Sequence, residues 1–495
     1  MHGFSTLAGL SLVLVLLLTP VAPSAPATSG TPPARPNIVF ILTDDEDTRI
    51  HAHMPKTKTL LEDRGTTFVN FFVTYALCCP SRASILRGQY PHNTRIEGNE
   101  PPLGGFAKFV ALGEEHFTVA TWLRDAGYHT VFAGKYLNGY GDRGTDPAHV
   151  PPGWTEWYAG VGGRPYQNFN YQMNENGTIV SYGTRAEDYL TDVIARKGSE
   201  GIRHATRAGR PFFLYLAPYT PHAPATPAPR HAALFQDATL PRPPAFNEED
   251  MGDKPAPRSR PPLTGRQIEE MEAFYRKRLQ SLQAIDDLVE AVVRTLQEVG
   301  QLENTYIVYT SDNGFHMGEH RLLPGKATAY EEDIRVPFIV RGPGVPAGAR
   351  REQMVLNTDI APTFAEMAGL RIPPFVDGRS FLPLLRGDGA VPWRKSFIVE
   401  LRTARGLVVG EPGDGPAPQP RSGYNAIRTA EWTYIQWASG ERELYNLRAD
   451  PYQLQNLMPT ANRALIRALA ARLSELAQCS ALGCRRAEDA PLRLP

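Results

Sequence analysis

The sequence predicts an α/β fold, a central mostly parallel sheet flanked by helices, followed by a smaller C-terminal α+β subdomain built on an antiparallel sheet. Three observations predict it. Short apolar runs alternate with amphipathic stretches through the first 387 residues, the pattern of a sheet covered by helices. Several of these runs have unbroken apolar interiors, as strands buried on both faces do. Beyond Gly387 the runs follow one another closely, with one helix pattern at the end.

In chain order, Leu7 to Leu18 is an almost wholly apolar run followed by Pro20 and small residues, the pattern of a signal peptide over 1–30, although only His2 precedes it where a basic residue is usual. The run is too short to span a bilayer comfortably, and no other window is long enough, so stable membrane insertion is not expected. No cysteine lies near the cleavage zone, which argues against a lipid anchor. A large domain is expected over 35–387 and the C-terminal subdomain over 388–495. Its strands are NIVFIL (37–42), HTVFA (129–133), PFFLYLA (211–217), TYIVYT (305–310) and VPFIV (336–340). The clearest helix runs from about Gln267 to Val299, with Gly300 placed to stop it. Between Pro218 and Thr264 proline is dense, which predicts an ordered loop over the surface. The later strands are SFIVEL, YNAIRT and WTYIQW, before a helix from Arg463 to Ala477.

Basic and acidic residues balance at 52 each, which argues against a nucleic-acid coat or a polybasic anchor and leaves room only for a local anion pocket. Arg, Ala and Pro are favoured over Lys, which points to a bacterial source and, with the leader, to an extracellular protein. Export permits disulfides. Cys479 and Cys484 enclose four residues and suit a local bridge. Cys78 and Cys79 are neighbours, and a bridge between them would strain the intervening peptide.

The chemistry gathers after the strands. Asp44 and Asp45 follow the first, Lys135 follows HTVFA, His222 follows PFFLYLA by five residues, and Asp312 and Asn313 follow TYIVYT. In open α/β sheets ligands sit beyond the carboxyl ends of the strands, so these groups can converge. Asp44, Asp45, Asp312 and Asn313 offer only oxygen, which suits a hard cation, Ca²⁺ or Mg²⁺, and suits zinc poorly. Lys135, Lys326 and Arg82 are the matching cations. Pro80 suits a first helical turn, which would put Cys78 beside a helix N-terminus where a thiolate is favoured. Yet a thiolate is a poor partner for a metal held by carboxylates, so the residues alone leave the nucleophile half explained.

The stretch Cys78-Cys79-Pro80-Ser81-Arg82-Ala83-Ser84-Ile85-Leu86-Arg87-Gly88 resembles the type I sulfatase signature C-x-P-S-R-x-x-x-L-T-G, with Arg87 in the usual Thr place. RPNIVFILTDDED, AGKY, TPHAP and SDNGFHMGEHRLLPGKATAYEEDIRVPFIVRGPG fall where that family has its other motifs. The resemblance covers most of the chain from about Arg35 and implies an alkaline-phosphatase-like fold. It further implies that a formylglycine-generating enzyme converts Cys78 to Cα-formylglycine (3-oxoalanine), Cys79 filling the x position. One hydroxyl of the hydrated aldehyde would then attack sulfur of a sulfate ester, and the other would release sulfate. By the same likeness Asp44, Asp45, Asp312 and Asn313, with the converted Cys78, match the metal set, usually calcium. Arg82 matches the group that steadies the hydrate, Lys135 and Lys326 match sulfate-binding lysines, and His222 matches the donor to the leaving alcohol.

One departure stands out. Many members read G-K-x-H, whereas this chain reads Gly134-Lys135-Tyr136-Leu137-Asn138, so the base for sulfate release is missing and His316 is the substitute by position. GKYLNGYG and CCPSRASIL look like the branch with N-acetylglucosamine-6-sulfatases, which implies a sulfated carbohydrate substrate, such as 6-sulfated glucosamine of glycosaminoglycans. Two alternatives stand beside this: a phosphoester or phosphonate hydrolase of the same superfamily, and a non-catalytic sulfated-glycan binding protein. Oligomeric state is not readable from the sequence.

Overall fold

The computed structural model describes residues 1–5, 9, 35–142, 144–255, 260–387, 391–403 and 422–492. Most of the expected signal peptide, and the Gly/Pro-rich stretch 410–420, lie outside them. From Arg35 onward the chain forms one unit.

The strands, in chain order, are β1 (Asn37–Thr43), β2 (Thr66–Phe68), β3 (Phe71–Phe72), β4 (His129–Gly134), β5 (Glu156–Gly160), β6 (Gln172–Glu175), β7 (Thr178–Ser181) and β8 (Phe212–Ala217). They continue with β9 (Thr305–Ser311), β10 (Phe338–Arg341), β11 (Ala349–Arg351), β12 (Val355–Leu356), β13 (Ser396–Leu401), β14 (Tyr424–Thr429), β15 (Trp432–Trp437) and β16 (Arg442–Asn446). Ten of them make one sheet in the order β11-β2-β10-β9-β1-β8-β4-β5-β6-β7. Its centre, β9-β1-β8-β4-β5, is parallel throughout, and β10 and the β6–β7 hairpin are antiparallel additions.

The reason β1 is apolar at every position from Ile38 to Leu42 is visible in its packing. Ile38, Phe40 and Leu42 join the core on one face, with Ala83, Leu86 and Phe364. Val39 and Ile41 join the core on the other, with Val193, Ile202, Leu279 and Leu282. The second face is covered by the helices Leu190–Arg207 and Gly265–Glu298, and each fully buried Leu or Ile there contributes about 1.5–3 kcal/mol. The long helix begins at a Thr264–Gln267 capping box, two residues before the stretch the periodicity predicts.

The C-terminal strands form the expected antiparallel sheet, β13-β14-β15-β16, and Leu469, Leu473 and Leu476 of the helix Arg463–Leu476 share its core. This sheet is bonded to the rest through Tyr330 to Glu443 (2.8 Å), Arg428 to Glu331 (2.8 Å) and the Glu400 amide to Thr74 (3.0 Å). Cys479 and Cys484 are bridged. Strands β5 and β16, which sequence patterning misses, read EWYAG and RELYN. They lack the β-branched runs that mark β1, β9 and β10, and pairing with β4 and β15 makes them strands.

Candidate active site

Register brings the two acidic pairs together. Thr43 of β1 is opposite Ser311 of β9, so Asp44-Asp45 and Asp312-Asn313 leave adjacent strands side by side. The Asp312 amide donates to the Thr43 carbonyl (3.1 Å) and the Asp45 amide to Asp312 Oδ1 (3.2 Å). On the other side of β1, Gly134 of β4 is opposite Ala217 of β8, which delivers Lys135 and the loop to His222. Gly134 is required: its φ is +121°, and a Cβ there would lie 2.0 Å from the Ala217 carbonyl oxygen.

Cys78 is the first residue of the helix Cys78–Arg87, which ends at Gly88 in the left-handed conformation. Its sulfur lies 3.4 Å from Asp44 Oδ1 and 3.1 Å from Lys326 Nζ. Lys326 also donates to Asp45 Oδ1 (2.7 Å), Lys135 to Asp44 Oδ2 (2.7 Å), and Arg82, one turn along the helix from Cys78, to Asp312 Oδ2 (2.8 Å). A second Arg82 nitrogen holds the Lys135 carbonyl at 2.8 Å. All of these side chains are buried. Burial alone would lower the Arg82 pKa, but Asp312 and Asp44 raise it well above the ordinary value. Burial and the Asp44 charge together push the Asp312 carboxyl up.

His222 Nδ1 faces the Ala223 carbonyl at 2.8 Å. A carbonyl only accepts, so this nitrogen carries the hydrogen, and Nε2 points toward Asp45 Oδ2 at 3.6 Å. The ring also rests 4.6 Å from that of Tyr166, over which Lys135 Nζ sits at 4.9 Å. Asp44, Asp45, Cys78 and His222 each offer a ligand atom within 4.8 Å of the others.

The oxygen set fits a hard divalent cation. Asp45 Oδ2 and Asn313 Oδ1 are buried and have no hydrogen-bond partner, a state that costs about 1–3 kcal/mol per group. Two such oxygens beside two further carboxylates are what Ca²⁺ or Mg²⁺ coordinates.

His316 sits differently. Its backbone pairs with Gly325, next to Lys326, but its ring is held by Asp333 (2.9 and 3.0 Å) and stacks on Phe315. Burial opposes its protonation, yet the Asp333 carboxylate prevails and raises its pKa. Sequence reasoning missed Arg278, whose guanidinium binds the Asp45 carbonyl, and Asn99, whose Oδ1 accepts from the Cys79 amide at 3.0 Å. The signal for Arg278 was its position on the apolar stripe, one turn before Leu282 and one turn after Tyr275. Asn99 carries no such signal. Beside Lys135 opens a cleft of about 180 Å³, lined by Asn99, Glu100, Asn138, Asp142, Tyr166 and Tyr219 among others.

The Sulfatase family model matches residues 36–370, and one described as N-sulphoglucosamine sulphohydrolase, C-terminal, matches 318–479. The chain is 38% identical over 480 residues to N-acetylglucosamine-6-sulfatase of Homo sapiens, covering 91% of this chain and 86% of that one. It is 35% identical over 510 residues to an arylsulfatase of Chlamydomonas reinhardtii, covering 91% and 75%. Among solved structures it resembles a protein in complex with its substrate D-glucosamine-2-N,6-O-disulfate, with a TM-score of 0.72, 25% identity, and coverage of 89% of this chain and 97% of that one.

Proposed function

From the premise that this chain belongs to the sulfatase family, we propose that it hydrolyses sulfate esters on glycosaminoglycan sugars, with the 6-O-sulfate of glucosamine residues as its substrate. The observation that carries the reading is the convergence on one sulfur: Cys78 Sγ has Asp44 on one side and Lys326 on the other, with Asp45 bridging to that lysine.

In this reading Cys78 is converted by a formylglycine-generating enzyme, and the modified side chain supplies a hydrated aldehyde oxygen as nucleophile. Asp44, Asp45, Asp312 and Asn313 would hold calcium, which would supply Lewis-acid polarisation of the reacting oxygens. The chain's own groups do the rest. Lys135 and Lys326 bind sulfate oxygens with charge-assisted hydrogen bonds, and Arg82 neutralises the carboxylates behind them. His222, its Nδ1–H fixed by the Ala223 carbonyl, presents Nε2 to carry a proton to the leaving alcohol. His316, held by Asp333 beside the Lys326 loop, takes the base role of the histidine whose place Leu137 fills. The cleft at Lys135 receives the sugar. In the same reading the 1–30 segment exports the protein, and 388–495 is its C-terminal subdomain.

The test is mass spectrometry of the peptide containing Cys78 from active protein, paired with turnover of sulfated monosaccharides and matched phosphate esters. An aldehyde at position 78 and faster cleavage of 6-sulfated glucosamine are expected. Full activity with an unmodified thiol, or phosphate esters cleaved faster than sulfate esters, would overturn the reading.

A further inference from the structure

Arg278 lies at mid-length on the helix Gly265–Glu298 and is fully buried. One Nη donates to the backbone carbonyl of Asp45, and the other donates to Asp47 Oδ2 at 2.9 Å. The guanidinium plane rests 4.5 Å from the centroid of Phe315, and Nη1 lies 3.3 Å from Met317 Sδ. Phe315 stands two residues beyond Asn313. One cation therefore touches the segment that follows β1 and the segment that follows β9, yet it bonds to neither Cys78 nor any carboxylate of the cluster.

Asp45 has reason to need such a hold. Its φ is +65°, a left-handed conformation uncommon for a residue with a side chain. Relaxing that backbone would swing its carboxylate away from Lys326 and Asn313, both of which meet Oδ1 (2.7 and 2.6 Å). A charge-assisted bond to the Asp45 carbonyl opposes the relaxation. The fork geometry of the guanidinium lets one side chain serve Asp45 and Asp47 together, which an ammonium does poorly.

We propose that Arg278 is a positioning residue of the metal centre, setting the backbone of Asp45 against the Asp312–Asn313 segment so that the oxygen set is preformed. The proposal rests on the reading of that set as a cation site. Its role is to fix affinity for the ion, not to contact substrate.

The experiment is calcium titration of the full-length, Cys78-converted protein by calorimetry, with turnover measured at low and at saturating calcium. Arg278→Lys is expected to weaken calcium binding about 10- to 100-fold, the range for groups that orient metal ligands, while turnover recovers at saturating calcium. Phe315→Leu removes the ring beneath the guanidinium, and its stack on His316, but no side-chain hydrogen bond, and is expected to weaken calcium binding about threefold in a folded protein. Arg394→Lys is the control for disturbing a buried arginine elsewhere, at Asp359 and Glu488; it is expected to lower the melting temperature and leave calcium affinity unchanged. Wild-type affinity in both Arg278→Lys and Phe315→Leu would overturn the positioning role alone. Failure of the unmutated protein to bind any divalent ion would overturn the cation site and this proposal with it.

Discussion

His51 offers a test of the layer beneath the acidic pair. Its Nδ1 is 2.7 Å from Glu46 and its Nε2 3.0 Å from Glu62, and Tyr309 donates to the other Glu46 oxygen at 2.5 Å. Burial alone would keep the imidazole neutral, but the two glutamates raise its pKa from 6.5 to about 9. Hydrogen bonding to His51 in turn lowers the Glu62 carboxyl. The unfolded chain thus sheds this proton near pH 6.5, whereas the folded protein keeps it to about pH 9. Unfolding releases a proton within that window, so stability is full below it and falls as pH rises through it. The shift corresponds to about 3 kcal/mol, which for a chain of this size is about 3 °C in melting temperature. Scanning calorimetry of the wild type and His51→Gln from about pH 6 to 10 measures the difference between their slopes. The wild-type advantage is expected to shrink by roughly that amount across the range. Parallel profiles would refute the argument that two carboxylates hold an imidazolium under the Asp45 loop.

Three further outcomes follow from the site. His222→Gln removes the proton donor to the leaving alcohol, so kcat on a 6-sulfated sugar should fall about 10²- to 10⁴-fold, with a much smaller loss on a nitrophenyl sulfate, whose leaving group needs no proton. Lys135→Met deletes a charge-assisted contact worth about 1.5–3 kcal/mol, so kcat/KM should drop about 10- to 100-fold, and because it also takes the ammonium from the buried Asp44 carboxylate the melting temperature should fall with it. His316→Ala should lower kcat about 10²-fold or more and spare KM if the ring carries protons; a lower melting temperature at unchanged kcat would mark it as packing against Asp333 alone.

The legible part of this protein is its local code. Strands β1, β4, β8 and β9 declare themselves because burial on both faces demands unbroken apolar runs, and the polar groups that follow them are conspicuous for that reason. The signature Cys78 to Gly88 becomes a helix with a left-handed glycine at its end, as its Pro and Gly positions dictate.

What the sequence by itself determined was therefore the elements, the residue types at their ends, and the oxygen-only character of the acidic pairs. The tertiary structure alone decided who meets whom. Pairing Thr43 with Ser311 sets the carboxylates side by side, and a slip of one residue would have turned them to opposite faces. It also turned Arg278, a charge within an amphipathic helix, inward to the Asp45 carbonyl, 233 positions away in sequence. Local patterns report the burial of a residue's neighbours, but a buried cation is tolerated only where distant chain supplies acceptors, and that supply exists only once the sheet has closed its register.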